Sequence, residues 1–227
     1  MKKKNYEEEM RYEKKWIYNN NSYYQTLSSL MRSNFKFKHH HENRIVNTVY
    51  FDDFNLSNVL DNVEGQKDRV KHRLRWYGSD RYIDKPIFEM KHKKAFKTYK
   101  KKSFMTLKKK IDVNNINNFV DLKKKFNLKV KNNHLLQPKI LISYKRTYLI
   151  SSDNLIRATI DQDIKYKKLN KFNDNFFHKF NNIVMEMKYD INLDTYFRNL
   201  INNISVRYSK SSKYVNCMLL PSREFSN

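Results

Sequence analysis

The fold is decided by ten residues, Asp68-Arg69-Val70-Lys71-His72-Arg73-Leu74-Arg75-Trp76-Tyr77. Cationic residues alternate here with bulky, mostly apolar ones. Because side chains along a β-strand point alternately to opposite faces, this spacing predicts a strand with one cationic and one apolar face. Like charges aligned on one strand face repel each other unless anions lie among them. The stretch therefore predicts a strand built around a polyanion.

The same alternation recurs in three other segments, where acids are mixed with the cations. The residues predicted to share a face are Glu9, Arg11, Glu13 and Lys15, then Glu89, Lys91 and Lys93, and then Glu186 and Lys188. The charged faces are thus spread over several strands.

Composition limits the class of protein. The chain has 227 residues, a formal net charge of +24 and 39% hydrophobic residues, which predicts one folded domain with an acidic partner. Cys217 is the one cysteine, so a disulfide within the chain is excluded. The longest apolar runs are about five residues, whereas a membrane span needs about twenty, and the N-terminus does not resemble a signal peptide. We expect a cytoplasmic protein without a transmembrane segment, whose basic surface can touch a membrane.

Nine segments are rich in Val, Ile, Tyr, Phe and Thr and are predicted as strands. They are 8–18, 44–52, 68–78, 84–93, 97–106, 138–150, 154–162, 182–190 and 204–209. Helices are predicted after the capping residue Ser22, over Asn55–Asn62, over Asp112–Phe126 and around Leu193–Ile201. Residues 163–181 are predicted as a loop.

Many strands and few helices indicate an α+β fold that is mainly antiparallel β. If the charged strand faces meet water, the domain is a sandwich. If they face inward, it is a barrel with a charged lumen and helices packed outside. Composition is compatible with both arrangements.

Eight segments together resemble one family. In chain order they are Arg11-Tyr12-Glu13-Lys14-Lys15-Trp16, Asn47-Thr48-Val49-Tyr50-Phe51-Asp52, Lys71-His72-Arg73-Leu74-Arg75-Trp76-Tyr77, Phe88-Glu89-Met90-Lys91, Ser143-Tyr144-Lys145-Arg146-Thr147-Tyr148, Arg157-Ala158-Thr159-Ile160-Asp161, Val184-Met185-Glu186-Met187-Lys188 and Ser212-Lys213-Tyr214. This order resembles the VTC domain of polyphosphate polymerases, within the CYTH-like triphosphate tunnel metalloenzymes. The resemblance covers about residues 9–216, so residues 1–227 are interpreted as a single domain.

The resemblance implies an eight-stranded antiparallel tunnel in which the γ-phosphoryl of ATP passes to a growing polyphosphate chain, assisted by Mn²⁺ or Mg²⁺. Six residues are implied to act in catalysis: Arg73, Arg75, Lys91, Arg146, Arg157 and Lys213. Six are implied to bind substrate: Arg11, Lys15, Lys71, Tyr144, Lys188 and Lys210. Glu186 is the implied metal ligand. Glu13 and Glu89 are further metal candidates, although we favour a role in orienting the lysines beside them.

Several alternatives stay open. A triphosphatase of the same fold would hydrolyse inorganic triphosphate or RNA 5′-triphosphate ends, but Arg11 replaces a glutamate of the wider superfamily, which favours the polymerase. A non-catalytic module could bind polyphosphate. A nucleic-acid partner is disfavoured because acids accompany the cations on the same strands. Regulatory or membrane-associated partner chains would be separate proteins. His39-His40-His41 are predicted to lie on a loop without a metal.

Overall fold

The computed structural model describes residues 6–9, 11–19, 22–78, 81–94, 97–125, 136–169, 176–201, 208–209 and 211–220. The strands are β1 (Tyr6–Glu9), β2 (Arg11–Asn19), β3 (Lys38–Asp52), β4 (Asp68–Tyr77), β5 (Tyr82–Ile83), β6 (Ile87–Lys94), β7 (Lys97–Phe104), β8 (Ile111–Asp112), β9 (Gln137–Ile150), β10 (Arg157–Lys168), β11 (His178–Phe180) and β12 (Asn182–Asp190). The helices are α1 (Tyr23–Met31), α2 (Ser57–Val63), α3 (Ile116–Lys125), α4 (Asp194–Leu200) and α5 (Lys213–Leu219), with a 3-10 turn at Ile191–Leu193.

One antiparallel sheet forms the body of the domain. Its strands follow the order β1-β7-β6-β4-β3-β9-β10-β12-β2, and β11 pairs with β10. The N-terminal strands β1 and β2 pair with opposite ends of this path and are separated in the chain only by residue 10. The N-terminal strands thus pair with both ends of the path, and counting β1 and β2 as one interrupted strand leaves eight strands along it, besides β11. The predicted α+β, mainly antiparallel fold is confirmed.

The apolar strand faces point outward and are covered by helices. Trp16 belongs to a buried cluster that includes Leu30 of α1 and Phe197 of α4. Trp76 belongs to a second cluster, where its ring stacks on Phe119 of α3 with centroids 6.3 Å apart. Because both helix-covered layers lie on the face opposite the charges, the charged side chains of the sheet point inward.

A third cluster lies on the inner side, around α5. Tyr214 of α5 stacks on Tyr50 of β3 with centroids 4.7 Å apart, and its hydroxyl donates to the buried carboxylate of Asp52 at 2.7 Å. Val215 and Cys217 join apolar residues of β9, β10 and β12. Helix α5 therefore fills part of the space that the sheet encloses.

Most predicted elements are confirmed, and Ser22 caps α1 through a reciprocal hydrogen-bond pair with Gln25. The loop predicted over 163–181 is wrong for residues 163–168 and 178–180, which are strand. A bulge between Gln162 and Lys165, with Asp163 at a φ of +50°, breaks the alternation on which the prediction relied. Strand β3 begins six residues earlier than predicted.

Two C-terminal predictions differ as well. Residues 202–207 of the predicted strand 204–209 lie outside the described residues, and 208–209 are not strand. Helix α5 was not predicted, because seven residues give too few turns for a helical period to stand out.

Replacing Tyr214 by phenylalanine tests the anchorage of α5. The side chain is 1% exposed, so Tyr214→Phe leaves one lobe of a buried carboxylate without its donor. We expect the free energy of unfolding to fall by about 1–3 kcal/mol in urea titrations. Tyr196→Phe, which removes an exposed hydroxyl bonded to Asp153, is the control and should cost less than about 0.5 kcal/mol. Equal losses would contradict a special role for the buried bond.

Candidate functional site

Strand register assembles a charged network on the inner face. Lys15 and Glu13 of β2 pair with Glu186 and Lys188 of β12. Lys15 Nζ lies 2.7 Å from Glu13 and 3.6 Å from Glu186, while Lys188 contacts Glu186 directly. Lys91 of β6 reaches across to Glu13 at 2.8 Å. Two glutamates thus hold together three lysines, which come from β2 and β12 at one end of the sheet and from β6 near the other end.

These contacts keep the two glutamates ionised. Burial and the charge of Glu13 act to raise the pKa of Glu186, but Lys188 and Lys15 outweigh them and hold it well below its usual range. Burial likewise opposes ionisation of Glu13, and Lys15 and Lys91 lower its pKa well below the ordinary value. Both carboxylates are therefore anions throughout the physiological pH range.

A second cluster joins β4 to β6. Arg73 Nε donates to Glu89 at 2.5 Å, and Arg75 Nη1 lies 3.5 Å from the same carboxylate oxygen. Burial acts to raise the pKa of Glu89, but the two guanidinium groups lower it well below its usual range. Arg75 Nε is buried without a hydrogen-bond partner among the described residues. Glu89 therefore contacts both arginines, and Arg75 keeps a buried donor at Nε. The sequence favours Glu89 as a group that orients the lysines beside it, and that role stays a prediction.

The third cluster surrounds Asp161, whose side chain is 0% exposed. Arg146 donates to both carboxylate oxygens, at 2.6 and 2.7 Å, and Lys213 of α5 lies 2.5 Å from one of them. The Tyr144 ring lies 5.2 Å from the Arg146 guanidinium and 5.0 Å from Lys213 Nζ. This bidentate pair fixes one face of Arg146 and ties α5 to the wall.

Two further lysines near the charged clusters, Lys71 and Lys100, form no ion pair with a carboxylate among the described residues. Lys71 Nζ donates to Ser212 Oγ at 2.8 Å, and Lys100 faces Lys91 across the β6–β7 pair. Burial, together with the cations around them, lowers the pKa of each to about 7. Crowded cations with depressed pKa values indicate a site that is completed by an anionic ligand.

A cavity of about 610 Å³ opens beside these charges. Its walls include Arg11, Lys15, Arg69, Lys71, Lys91 and Lys93, together with Ser209, Ser211 and Ser212. The serine segment is held in place by two bonds: the Ser209 amide donates to the Lys15 carbonyl at 2.7 Å, and Lys15 Nζ donates to the Ser211 carbonyl at 3.1 Å. We take this cavity as one mouth of the enclosed space, called the lumen below.

Most residues implied by the resemblance come together in the lumen. They are Glu13, Lys15, Lys71, Arg73, Arg75, Glu89, Lys91, Tyr144, Arg146, Glu186, Lys188 and Lys213. Arg11 lines the cavity, and Arg157 is exposed at the start of β10. Lys210 lies outside the described residues. The roles of these residues stay predictions.

Asp161 and Lys100 are not among the candidate site residues taken from the sequence. Asp161 stands two residues beyond Thr159 and four beyond Arg157, so the period of two did place it on the charged face. Its burial and its two cationic partners come from β9 and α5, which no local pattern connects.

A divalent metal fits the chemistry of Glu186. The side chain is a buried, ionised oxygen donor, the ligand type that Mg²⁺ and Mn²⁺ prefer. The described residues include no group of three or more His, Cys, Asp or Glu side chains that could hold an ion. Phosphate oxygens and water would therefore supply the remaining ligands, as is usual for Mg²⁺ bound with nucleotides.

Comparisons agree with this geometry. A solved structure of a candidate adenylate cyclase from Bacillus halodurans matches with a TM-score of 0.54 at 10% identity, over 95% of this chain and 99% of that chain. A candidate adenylate cyclase from Vibrio parahaemolyticus matches with a TM-score of 0.50 at 10% identity, over 92% and 97% of the two chains. No curated protein gives a significant match. At such low identity, the structural likeness establishes the fold.

The fold and the charges on its inner face define the class: a tunnel-like domain of antiparallel strands with a cation-rich lumen. The sequence profile described as the VTC domain matches residues 10–220. This chain belongs to the VTC domain family, which confirms the resemblance stated above.

Lys71 and Lys100 predict a specific pH dependence. Between about pH 7 and pH 10.5 the unfolded chain retains protons that the folded chain has lost at these lysines, so their contribution to the free energy of unfolding rises with pH. A bound anion favours the charged lysines. We therefore expect tripolyphosphate binding to take up protons and to weaken as the pH rises from about 7 to 9.

Calorimetry in two buffers of different ionisation enthalpy measures this proton uptake. Lys100→Gln should reduce the uptake at pH 8, whereas Lys110→Gln, at an exposed position, should leave it unchanged. Binding that is independent of pH in the native chain would contradict the depressed lysine pKa values.

Proposed function

We propose that this protein is an ATP-dependent polyphosphate polymerase that transfers the γ-phosphoryl of ATP to the end of a polyphosphate chain. One observation carries the proposal: cations crowd the lumen from facing walls, while every described carboxylate among them already contacts a cation. Such a lumen is suited to neutralise the negative charge of a phosphate chain. It is less suited to activate a water molecule, because its carboxylates are already engaged by cations. Membership in the VTC domain family supports the same reaction.

The carboxylates of the lumen bear on whether water or a phosphate chain accepts the γ-phosphoryl group. Hydrolysis needs a group that positions water and receives its proton. Glu13, Glu89, Asp161 and Glu186 each have a cation within 3.6 Å and are held ionised at low pKa, which makes them poor bases. A terminal phosphate oxygen is already anionic and needs no base. The lumen therefore favours a phosphate acceptor.

Phosphoryl transfer then requires mainly alignment and charge neutralisation. Arg73 and Arg75, fixed by Glu89, present donors to phosphate oxygens, and Lys91 and Lys188 add point charges. The bond between the γ-phosphorus and the bridging oxygen breaks as the acceptor oxygen attacks in line, and ADP leaves. A divalent ion held at Glu186, when bound, would neutralise charge on the phosphates.

Product analysis tests the reaction. The pure chain with ATP and Mn²⁺ should yield ADP and an acid-labile phosphate polymer, resolved on a gel stained for polyphosphate, with little orthophosphate. Arg73→Ala should lower kcat by about 10²–10³-fold, because it removes a preorganised donor from a confined site. Lys110→Ala, which removes an exposed charge, serves as the matched control.

Three other outcomes of this experiment would each favour a different function. Orthophosphate as the main product would replace polymerase by triphosphatase. Absence of turnover combined with retardation of RNA on a gel would favour a nucleic-acid-binding module. Retained binding of polyphosphate without turnover would favour a non-catalytic module.

Glu186→Gln separates metal binding from phosphate binding. The variant keeps the shape of the side chain but removes a charge that Lys15 and Lys188 now neutralise. We expect polymer formation to fall at least about 100-fold, while metal-free tripolyphosphate binding stays equal or tightens because two lysines are released. Asp121→Asn, at an exposed position of α3, is the control. Unchanged turnover in Glu186→Gln would remove Glu186 from the metal site.

The proposed partners are ATP, polyphosphate and the divalent ion. Among the described residues, no helix is long and apolar enough to cross a membrane. Cytoplasmic location, and delivery of the product to membrane-associated partner chains, stay predictions.

A further inference from the structure

A basic segment at the start of β3 has no part in the transfer described above. It comprises Lys38-His39-His40-His41-Glu42-Asn43-Arg44, and all seven residues are exposed. The sequence predicted a loop here, whereas the structure has a strand that pairs with the end of β9. This segment, called the histidine arm below, therefore has a fixed position relative to the sheet.

Strand register connects the histidine arm to the lumen. His41 lies opposite Tyr148 of β9, and their rings meet edge to face with centroids 5.8 Å apart. Tyr148 lies opposite Thr159 of β10, which lies opposite Glu186 of β12. Residues directly opposite each other in a regular ladder project to the same face, so Glu186, Thr159 and Tyr148 form one row. The β3–β9 register shifts on both sides of His41, and the ring contact with Tyr148 is what extends the row to His41.

A second row supports the same path. Lys38 lies opposite Ile150 of β9, Ile150 opposite Arg157 of β10, and Arg157 opposite Lys188 of β12. The exposed Arg157 thus lies in this row between the half-buried Lys188, which contacts Glu186, and the exposed Lys38. From β12 to β3 each row crosses three gaps between strands, about 14 Å along the sheet.

The row contains a polar group that lacks a partner. Thr159 Oγ1 is buried without a hydrogen-bond partner among the described residues, although it lies between Glu186 and Tyr148 in the row. A buried hydroxyl without a partner carries an energetic cost that a ligand oxygen would relieve. This position is therefore suited to a phosphate that continues from the lumen towards the histidine arm.

Cations dominate the surroundings of the three histidines. On β3 itself they are Lys38 and Arg44, with Glu42 as the acid of the segment. From the paired strands, β9 contributes Tyr148 and β10 contributes Arg157. Partial desolvation, together with His41, Arg157 and Lys38, lowers the pKa of His40. An anion placed here would offset that repulsion, and protonation of the histidines would strengthen its binding.

We propose that the histidine arm and Arg157 form a second binding site for a polyphosphate chain, which holds the part that extends beyond the buried lumen and binds it more tightly when the histidines are protonated. The proposal rests on the proposed function, because the long anion must first occupy the lumen. Tripolyphosphate, which is short enough to be held by the lumen cations alone, leaves the histidine arm unoccupied.

The ratio of affinities for long-chain polyphosphate and tripolyphosphate isolates this second site. Both are measured with the full chain, without ATP or metal, at pH 5.5 and pH 8. In the native chain the ratio should increase about tenfold on acidification, whereas lumen lysines act on both ligands alike. A triple variant, His39→Gln, His40→Gln and His41→Gln, should show a nearly constant ratio with unchanged tripolyphosphate affinity. Triple replacement of Lys108, Lys109 and Lys110 by glutamine, all exposed, should retain the native pH response.

The outcomes separate this proposal from the proposed function. An equal pH response of the ratio in the native chain and the histidine variant would overturn the second site, whatever the lumen does. If the histidine substitutions weakened the binding of a single-stranded RNA as much as the binding of long-chain polyphosphate, the histidine arm would be a general basic surface. That result would also overturn the second site. If the native chain did not bind tripolyphosphate at all, that result would instead contradict the lumen site and the proposed polymerase function.

Discussion

Repulsion among inward-facing cations is the constraint on which this structure depends. In the described part of the chain, nine cations of the inner face lie among four carboxylates, so these carboxylates neutralise only part of the positive charge. The cations are Lys15, Lys71, Arg73, Arg75, Lys91, Lys100, Arg146, Lys188 and Lys213, and the acids are Glu13, Glu89, Asp161 and Glu186. The outward apolar faces, with their helices, supply the burial that offsets this cost.

Each of the four carboxylates contacts a different set of cations, according to its position in the sheet. Glu89 contacts two arginines of β4, and Glu13 joins a lysine of β2 to a lysine of β6, near opposite ends of the sheet. Asp161 fixes Arg146 and connects α5 to the wall through Lys213. Removing one partner of such a buried pair leaves a charge without compensation, which costs far more than an exposed pair contributes. Each acid therefore preorganises cations that a phosphate chain would otherwise have to arrange.

The same excess of charge links folding to ligand binding. Burial, together with the neighbouring cations, lowers the pKa of Lys71 and of Lys100 in the folded chain. A polyanion reverses this penalty, so ligand affinity and proton binding are coupled. Away from the lumen, the histidine arm and Arg157 continue the rows of charge into solvent.

The sequence by itself determined the alternation, and therefore which side chains share a face. It predicted Arg73, Arg75, Glu89, Lys91, Glu186 and Lys188 as charged-face residues and placed Trp76 on the opposite, apolar face of its strand. A period of two is local, and it persists wherever a strand is regular. Where a bulge interrupted it, as at Gln162 to Lys165, the prediction stopped short of the strand's end.

Only the tertiary structure decided that the charged faces point inward. A sandwich with wet outer faces has the same alternation, so the choice depends on β1 and β2 pairing with opposite ends of the sheet. The partners of Asp161, the placement of α5 and the rows that reach the histidine arm depend on register between strands far apart in sequence. Register is set by the packing of whole strands, so no local pattern in the chain contains it.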